Sequence, residues 1–157
     1  IRETLYGLSD ALTYLMESGV FVIVLGGDSL LNLSVLRSLP RVTSNNLFYA
    51  LAEPYLSLAE YSGLDMISDE RIHLYHLATQ AHYHTQEQKV WTRSFVHESY
   101  RLGKIREHLA GAEPYLRGAD GLALSVNAIK NADAPGQKTA FPRMFASLQV
   151  TPDWRII

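Results

Sequence analysis

The stretch VFVIVLGGDS, Val20 to Ser29, decides how this chain is read. Its six apolar residues, most of them β-branched, run without a polar interruption and stop at Gly26-Gly27. A strand with one wet face alternates apolar and polar side chains, so an unbroken run reads as a strand covered on both faces, as in a parallel sheet. Before it, Leu5, Leu8, Leu12, Leu15 and Met16 recur at three- and four-residue spacing, which predicts an amphipathic helix over residues 1–17 closed by Ser18-Gly19. After it, SLLNLSVLRSLP predicts a second helix, stopped by Pro40. The opening third of the chain therefore reads α-β-α.

Working outward, Leu47 to Ala52 reads as a second buried strand, ended before Pro54, while residues 55–70 show no clear period. An extended segment is expected around Gln80 to Thr85. In EQKVWTRSFVHESYRLG, Val90, Trp91, Ser94, Phe95 and Glu98 fall on helical spacing, so a helix is expected up to Gly103, with another from Ile105 to Leu116. ADGLALSV returns to the buried-strand pattern, and NADAPG supplies the turn residues that leave it. Strands alternating with helices predict an α/β fold, three-layer α-β-α with a mostly parallel sheet, as a single domain over 1–157. About four strands are expected, too few to avoid an open edge, which calls for a partner or a further part of the fold. Because residue 1 already lies within a helical pattern, the chain is read as a fragment of a longer fold.

Composition narrows the function. A hydrophobic share of 47% and a charged share of 19% suit a core-forming globular chain rather than a disordered one. With 14 basic against 16 acidic side chains there is no positive field to gather nucleic acid. Cysteine is absent, which excludes disulfides, thiolate nucleophiles and Cys-built zinc sites and is compatible with a cytoplasmic location. The longest apolar run, VFVIVL, is far short of the roughly 20 residues of a membrane helix, so neither membrane nor nucleic acid is expected as a partner.

Two motifs carry a resemblance. VIVLGGDS resembles the strand and G-G-D-H turn of the ureohydrolases (arginase, agmatinase and formimidoylglutamase), and ALSVNAIKNADAPG resembles their S-x-D-x-D strand and A-P-G loop. SYRLGKIRE, AEPYLRGAD, that strand and DAPG follow in the order of a formimidoylglutamase-like branch, and the likeness runs from Leu5 to about Phe145. It implies an arginase-like fold, a binuclear manganese centre and hydrolysis of a guanidino or formimino carbon. It also implies a chain roughly twice this length, of which this one has the middle. Two manganese ions lower the pKa of a shared water and prefer carboxylate and imidazole ligands.

Carried over residue by residue, the resemblance places Ser29 at the His of G-G-D-H, and Ser125 and Asn127 at the two Asp positions of the later strand. A register shifted by two puts Asn127 at the first Asp and still supplies no carboxylate. No Asp or His occurs between Leu30 and Leu64 to meet the family's D-x-H-x-D set. Two dications without carboxylates would repel each other uncompensated. The reading is therefore a catalytically degenerate arginase-like protein with no catalytic or metal residues and no cofactor, acting through a protein partner or as a homo-oligomer. One alternative is an amidine hydrolase completed by residues outside this chain. Another is a small-ligand binding module built on a vestigial pocket of Asp28, Ser29, Ser125, Asn127 and Asp133.

Plainer roles stand beside these. Asp28 would cap the following helix and Asp133 would set the turn before Pro135. His73 with His76 would share a helix face, and His82 with His84 a strand face; a metal at the latter pair is the lesser alternative to ordinary histidines. Trp91, Phe95 and Tyr100, read on one helix, are expected in the core rather than at an interface. Glu113 and Arg117 form an i,i+4 pair.

Overall fold

The computed structural model describes residues 2–64, 69–129, 133, 135 and 136. Helix α1, Arg2–Glu17, buries Leu5, Ser9, Leu12 and Thr13 as one stripe. It ends where Gly19 takes a φ of 74°, a left-handed position suited to glycine, with Val20 N–H donating back to the Leu15 carbonyl. Helix α2, Leu31–Val42, packs across α1 through small residues, and Ser34 Oγ donates to the Leu5 carbonyl at 2.9 Å. Pro40 does not stop α2, contrary to the sequence reading. It sits in the last turn, where its missing N–H forfeits one helical bond, and its carbonyl accepts from Arg71 Nη2 at 2.9 Å.

Among the described residues four strands form one parallel sheet: β1, Leu47–Ala52; β2, Ile72–Thr79; β3, Val96–Arg101; and β4, Gly121–Leu124. Their order is β3-β2-β1-β4, so β1 and β2 are central and β4 is an edge. On one face Leu47, Tyr49, Leu51 and Leu74 pack with Leu5, Leu33, Leu36 and Leu39 of α1 and α2. On the other, Ala50, Ala52 and Leu77 meet Leu102, Ile105 and Ala112. Those three belong to α4, Leu102–Glu107, and to the 3-10 turn Leu109–Ala112 that precedes α5, Glu113–Arg117. The predicted three-layer α-β-α arrangement is present, with helices on both faces of the sheet.

Several elements differ from the sequence reading. Residues 20–25 belong to no strand among the described residues, and Phe21 and Leu25 are each 88% exposed. Apolar composition alone cannot make a strand; it needs a neighbour for its backbone. The extended segment expected at 80–85 is instead β2, eight residues earlier, followed by a 3-10 turn at Ala81–Tyr83. The helix expected up to Gly103 is α3, Gln86–Phe95, opened by a Thr85–Gln88 capping box, and the chain then turns into β3. β3 is a short, mostly polar edge strand, which gives almost no period-2 signal. The single helix expected from Ile105 to Leu116 is broken at His108 and restarts at Glu113-Pro114. β4 is not covered on both faces, since Leu122 and Leu124 are more than half exposed. Of NADAPG, only Asp133, Pro135 and Gly136 are among the described residues.

Gly121 holds β4 hard against the core. A Cβ there would lie 2.7 Å from the Tyr49 ring, and that ring is buried with its hydroxyl on Asn32 Oδ1 at 2.9 Å. Gly121→Ala is expected to destabilise by about 1–3 kcal/mol through overpacking, read as a lower urea midpoint at unchanged slope.

Candidate functional site

The C-terminal ends of β1 and β4 open into a cavity of about 1050 Å³. Ligands of parallel α/β sheets bind at this edge, where loops leave the strands. Residues 20–24, the turn at Gly26–Ser29, and the ends of β1 and β4 form its walls. The turn needs its glycines, because Gly26 and Gly27 have φ of 81° and 91°.

Four of the five residues read from sequence as a vestigial pocket meet here: Asp28, Ser29, Ser125 and Asn127 all line the cavity. Asp133 lies in a turn and is not part of the lining. The plainer roles are visible in the contacts. Asp28 Oδ1 accepts from Ser29 Oγ at 3.1 Å and from Leu30 N–H at 3.2 Å, tying the turn ahead of α2. Ser125 Oγ accepts from Asn127 N–H at 3.2 Å and opens the 3-10 turn Val126–Ala128.

The sequence reading assigns no role to Glu53, and the structure adds it. This carboxyl leaves the end of β1 into the cavity wall at 2% exposure, where Oε1 accepts from Ser57 N–H and Oε2 from Ser57 Oγ, both at 2.7 Å. Burial pushes its pKa up to about 7, against the lowering effect of the Ser57 bonds. The available signal is Glu53-x-Tyr55-x-Ser57 at a strand end, which repeats the spacing of D-x-H-x-D with one carboxylate kept. Beside it, His76 Nε2–H donates to the Glu53 carbonyl at 3.0 Å. Burial drives the His76 pKa down to about 4, and its Nδ1 has no partner among the described residues.

The histidine pairs are not as expected. His73 and His76 lie on strand β2, three apart, and so face opposite sides of the sheet. His73 stacks on Phe48 with centroids 5.1 Å apart, whereas His76 is buried against His84 at 5.6 Å. His82 lies within the 3-10 turn Ala81–Tyr83 and His84 caps its end, so they do not share a strand face; His82 packs on Tyr83, and His84 Nε2 bonds Thr79 Oγ1 at 2.9 Å. Trp91 and Phe95 stack on α3 at 4.1 Å with Phe95 44% exposed, and Tyr100 belongs to β3 instead. The Glu113–Arg117 pair is present and exposed.

A parallel sheet between two helical layers, with a cavity at its C-terminal edge, defines the class of protein. The particular fold is arginase-like. At 15% identity, the chain superposes on Trypanosoma cruzi formiminoglutamase with a TM-score of 0.79, covering 92% of this chain and 53% of that one. Arginase from Bacillus cereus gives 0.71 at 18% identity, covering 92% and 60%. Formimidoylglutamase from Bacillus subtilis gives 0.72 at 14%, covering 89% and 50%. The chain thus spans between 50% and 60% of the length of these structures. No protein family and no curated protein matches the sequence.

The T. cruzi structure contains two Mn²⁺ ions. The donor set among the described residues does not fit such a pair. Ser29, Ser125 and Asn127 are neutral, and the four carboxylates of the lining, Asp28, Glu53, Glu60 and Asp120, each accept a local hydrogen bond, with burial pushing the Glu53 pKa up to about 7. Among the described residues, no three His, Cys, Asp or Glu side chains converge.

Proposed function

We propose that this chain is a catalytically degenerate protein of arginase-like fold, without the ligands of a binuclear manganese centre, that acts through protein association. The observation that supports this reading is the cavity itself: at the C-terminal edge of the sheet, hydroxyl and amide groups stand at Ser29, Ser125 and Asn127, where the resemblance would put one His and two Asp. Hydroxyls and amides cannot offset the repulsion between two dications. The chain as one domain, an oligomeric or partnered state and a cytoplasmic location belong to the same reading. No helix among the described residues is long and apolar enough to cross a membrane.

The purified chain is expected to carry no stoichiometric manganese by elemental analysis, and titration with Mn²⁺ is expected to give no saturable heat. One or two bound ions per chain would overturn the reading.

A second reading, a linear-amidine hydrolase completed by residues outside this chain, is favoured by one fact: only 53% of the T. cruzi formiminoglutamase chain is covered. It requires acidic groups delivered beside Ser125. Formamide or urea release that disappears on replacing Asp28 would support it.

A further inference from the structure

His73 and His97 meet on the sheet face that carries Ala50 and Ala52, near the N-terminal ends of β2 and β3 and away from the cavity, which neither residue lines. His73 stands opposite Phe48 of β1 and stacks on its ring. His97 reaches the same face through an irregularity in the β2–β3 ladder: Leu74 pairs with Val96 but Tyr75 pairs with Glu98, so His97 is an extra residue with no opposite number. Bulges of this kind re-aim a side chain. Here the result is a separation of 5.0 Å between the ring centroids of His73 and His97, with Tyr75 at 5.8 Å from His97. Neither imidazole has a hydrogen-bond partner among the described residues, whereas His76 and His84 both do.

That separation suits a shared ion. An imidazole nitrogen binds Zn²⁺ at about 2.0–2.1 Å, which puts the ring centroid about 3.2 Å from the metal and two such rings about 5.2 Å apart at a tetrahedral angle. The rings meet at 67°, and His97 is exposed among the described residues, so it can turn an uncommitted nitrogen toward an ion lodged between them. Next to it Glu98, which accepts from Tyr115 Oη at 2.6 Å, adds a negative charge that favours a cation there. We propose that His73 and His97 hold one divalent ion of the zinc or copper class, with water completing its coordination, as a clip between β2 and the edge strand β3. The pairing that it reinforces needs support, because β3 is short and mostly polar and its ladder shifts register twice. Mn²⁺ is the poorest occupant, since affinity for nitrogen ligands rises from manganese toward copper, so this site is separate from the manganese question at the cavity.

The full chain, free of any histidine tag, is titrated with Zn²⁺ and with Cu²⁺ by calorimetry. Saturable one-to-one binding is expected, tighter for Cu²⁺, with a higher Tm in excess Zn²⁺ because only the folded chain presents the two rings together. The EPR spectrum of the Cu²⁺ complex should show coupling to two nitrogen ligands. His97→Gln, at an exposed position, should abolish the binding and leave the metal-free Tm unchanged, whereas His82→Gln, at an exposed histidine outside the pair, should leave the binding intact. Absence of saturable binding overturns the proposal, as does binding that survives His97→Gln, binding lost only in His82→Gln, or a Cu²⁺ spectrum without nitrogen coupling. Each of these leaves the degenerate-enzyme reading standing, since that reading falls only to bound manganese or activity.

Discussion

Glu53→Gln and His76→Gln are expected to tilt the pH dependence of folding in opposite directions, each by about 3 kcal/mol, while the parent chain stays nearly flat between pH 4.5 and 6.5 with respect to this pair. Raising the Glu53 carboxyl from 4.5 to about 7 makes the folded state the better proton binder. Its contribution is full below pH 4.5 and is lost as pH rises through about 7, at about 1.4 kcal/mol for each tenfold change in acidity. Lowering His76 from 6.5 to about 4 acts in the other sense, with stability present above pH 6.5 and lost as pH falls through about 4. In the shared window the folded chain holds one proton on Glu53, and the unfolded chain holds one on His76. Equal proton counts mean no slope. Glu53→Gln exposes the histidine, and stability should rise with pH; His76→Gln exposes the carboxyl, and stability should fall. Urea unfolding at half-unit pH steps measures this, and slopes of the same sign in both variants would refute the buried pair.

The second large effect contrasts two apolar residues of similar sequence character. Leu36 is fully buried between α1 and the sheet, so Leu36→Ala should destabilise by about 2–5 kcal/mol through lost burial and the cavity left behind. Phe21 lies in the most strand-like run of the sequence but is 88% exposed, so Phe21→Ala should change stability by no more than about 0.5 kcal/mol. Comparable losses would mean that residues 20–25 are buried in the isolated chain.

That contrast shows where sequence reasoning holds. The helix α1, the strand β1 and the layer order are written in local pattern, because a stripe of leucines or an unbroken apolar run such as LFYALA reports burial wherever a neighbour exists. The gathering of Asp28, Ser29, Ser125 and Asn127 at one cavity was legible too, since each follows a strand-like run in a motif of fixed spacing. Glu53 was only half legible: the Glu53-x-Tyr55-x-Ser57 spacing marks its place at a strand end, but its raised pKa depends on burial, which local pattern does not report.

Other features depended on contacts between distant residues. β3 reads as part of a helix, since six polar-rich residues at a sheet edge acquire their conformation from pairing with β2. His73 and His76 separate onto opposite faces because their segment is a strand, a fact set by its place between β1 and β3. Residues 20–25 read locally as a strand, yet among the described residues their backbone pairs with no other strand. Local pattern fixes which residues prefer burial and extension; which of them obtain it is decided by the neighbours that the fold brings within hydrogen-bonding reach.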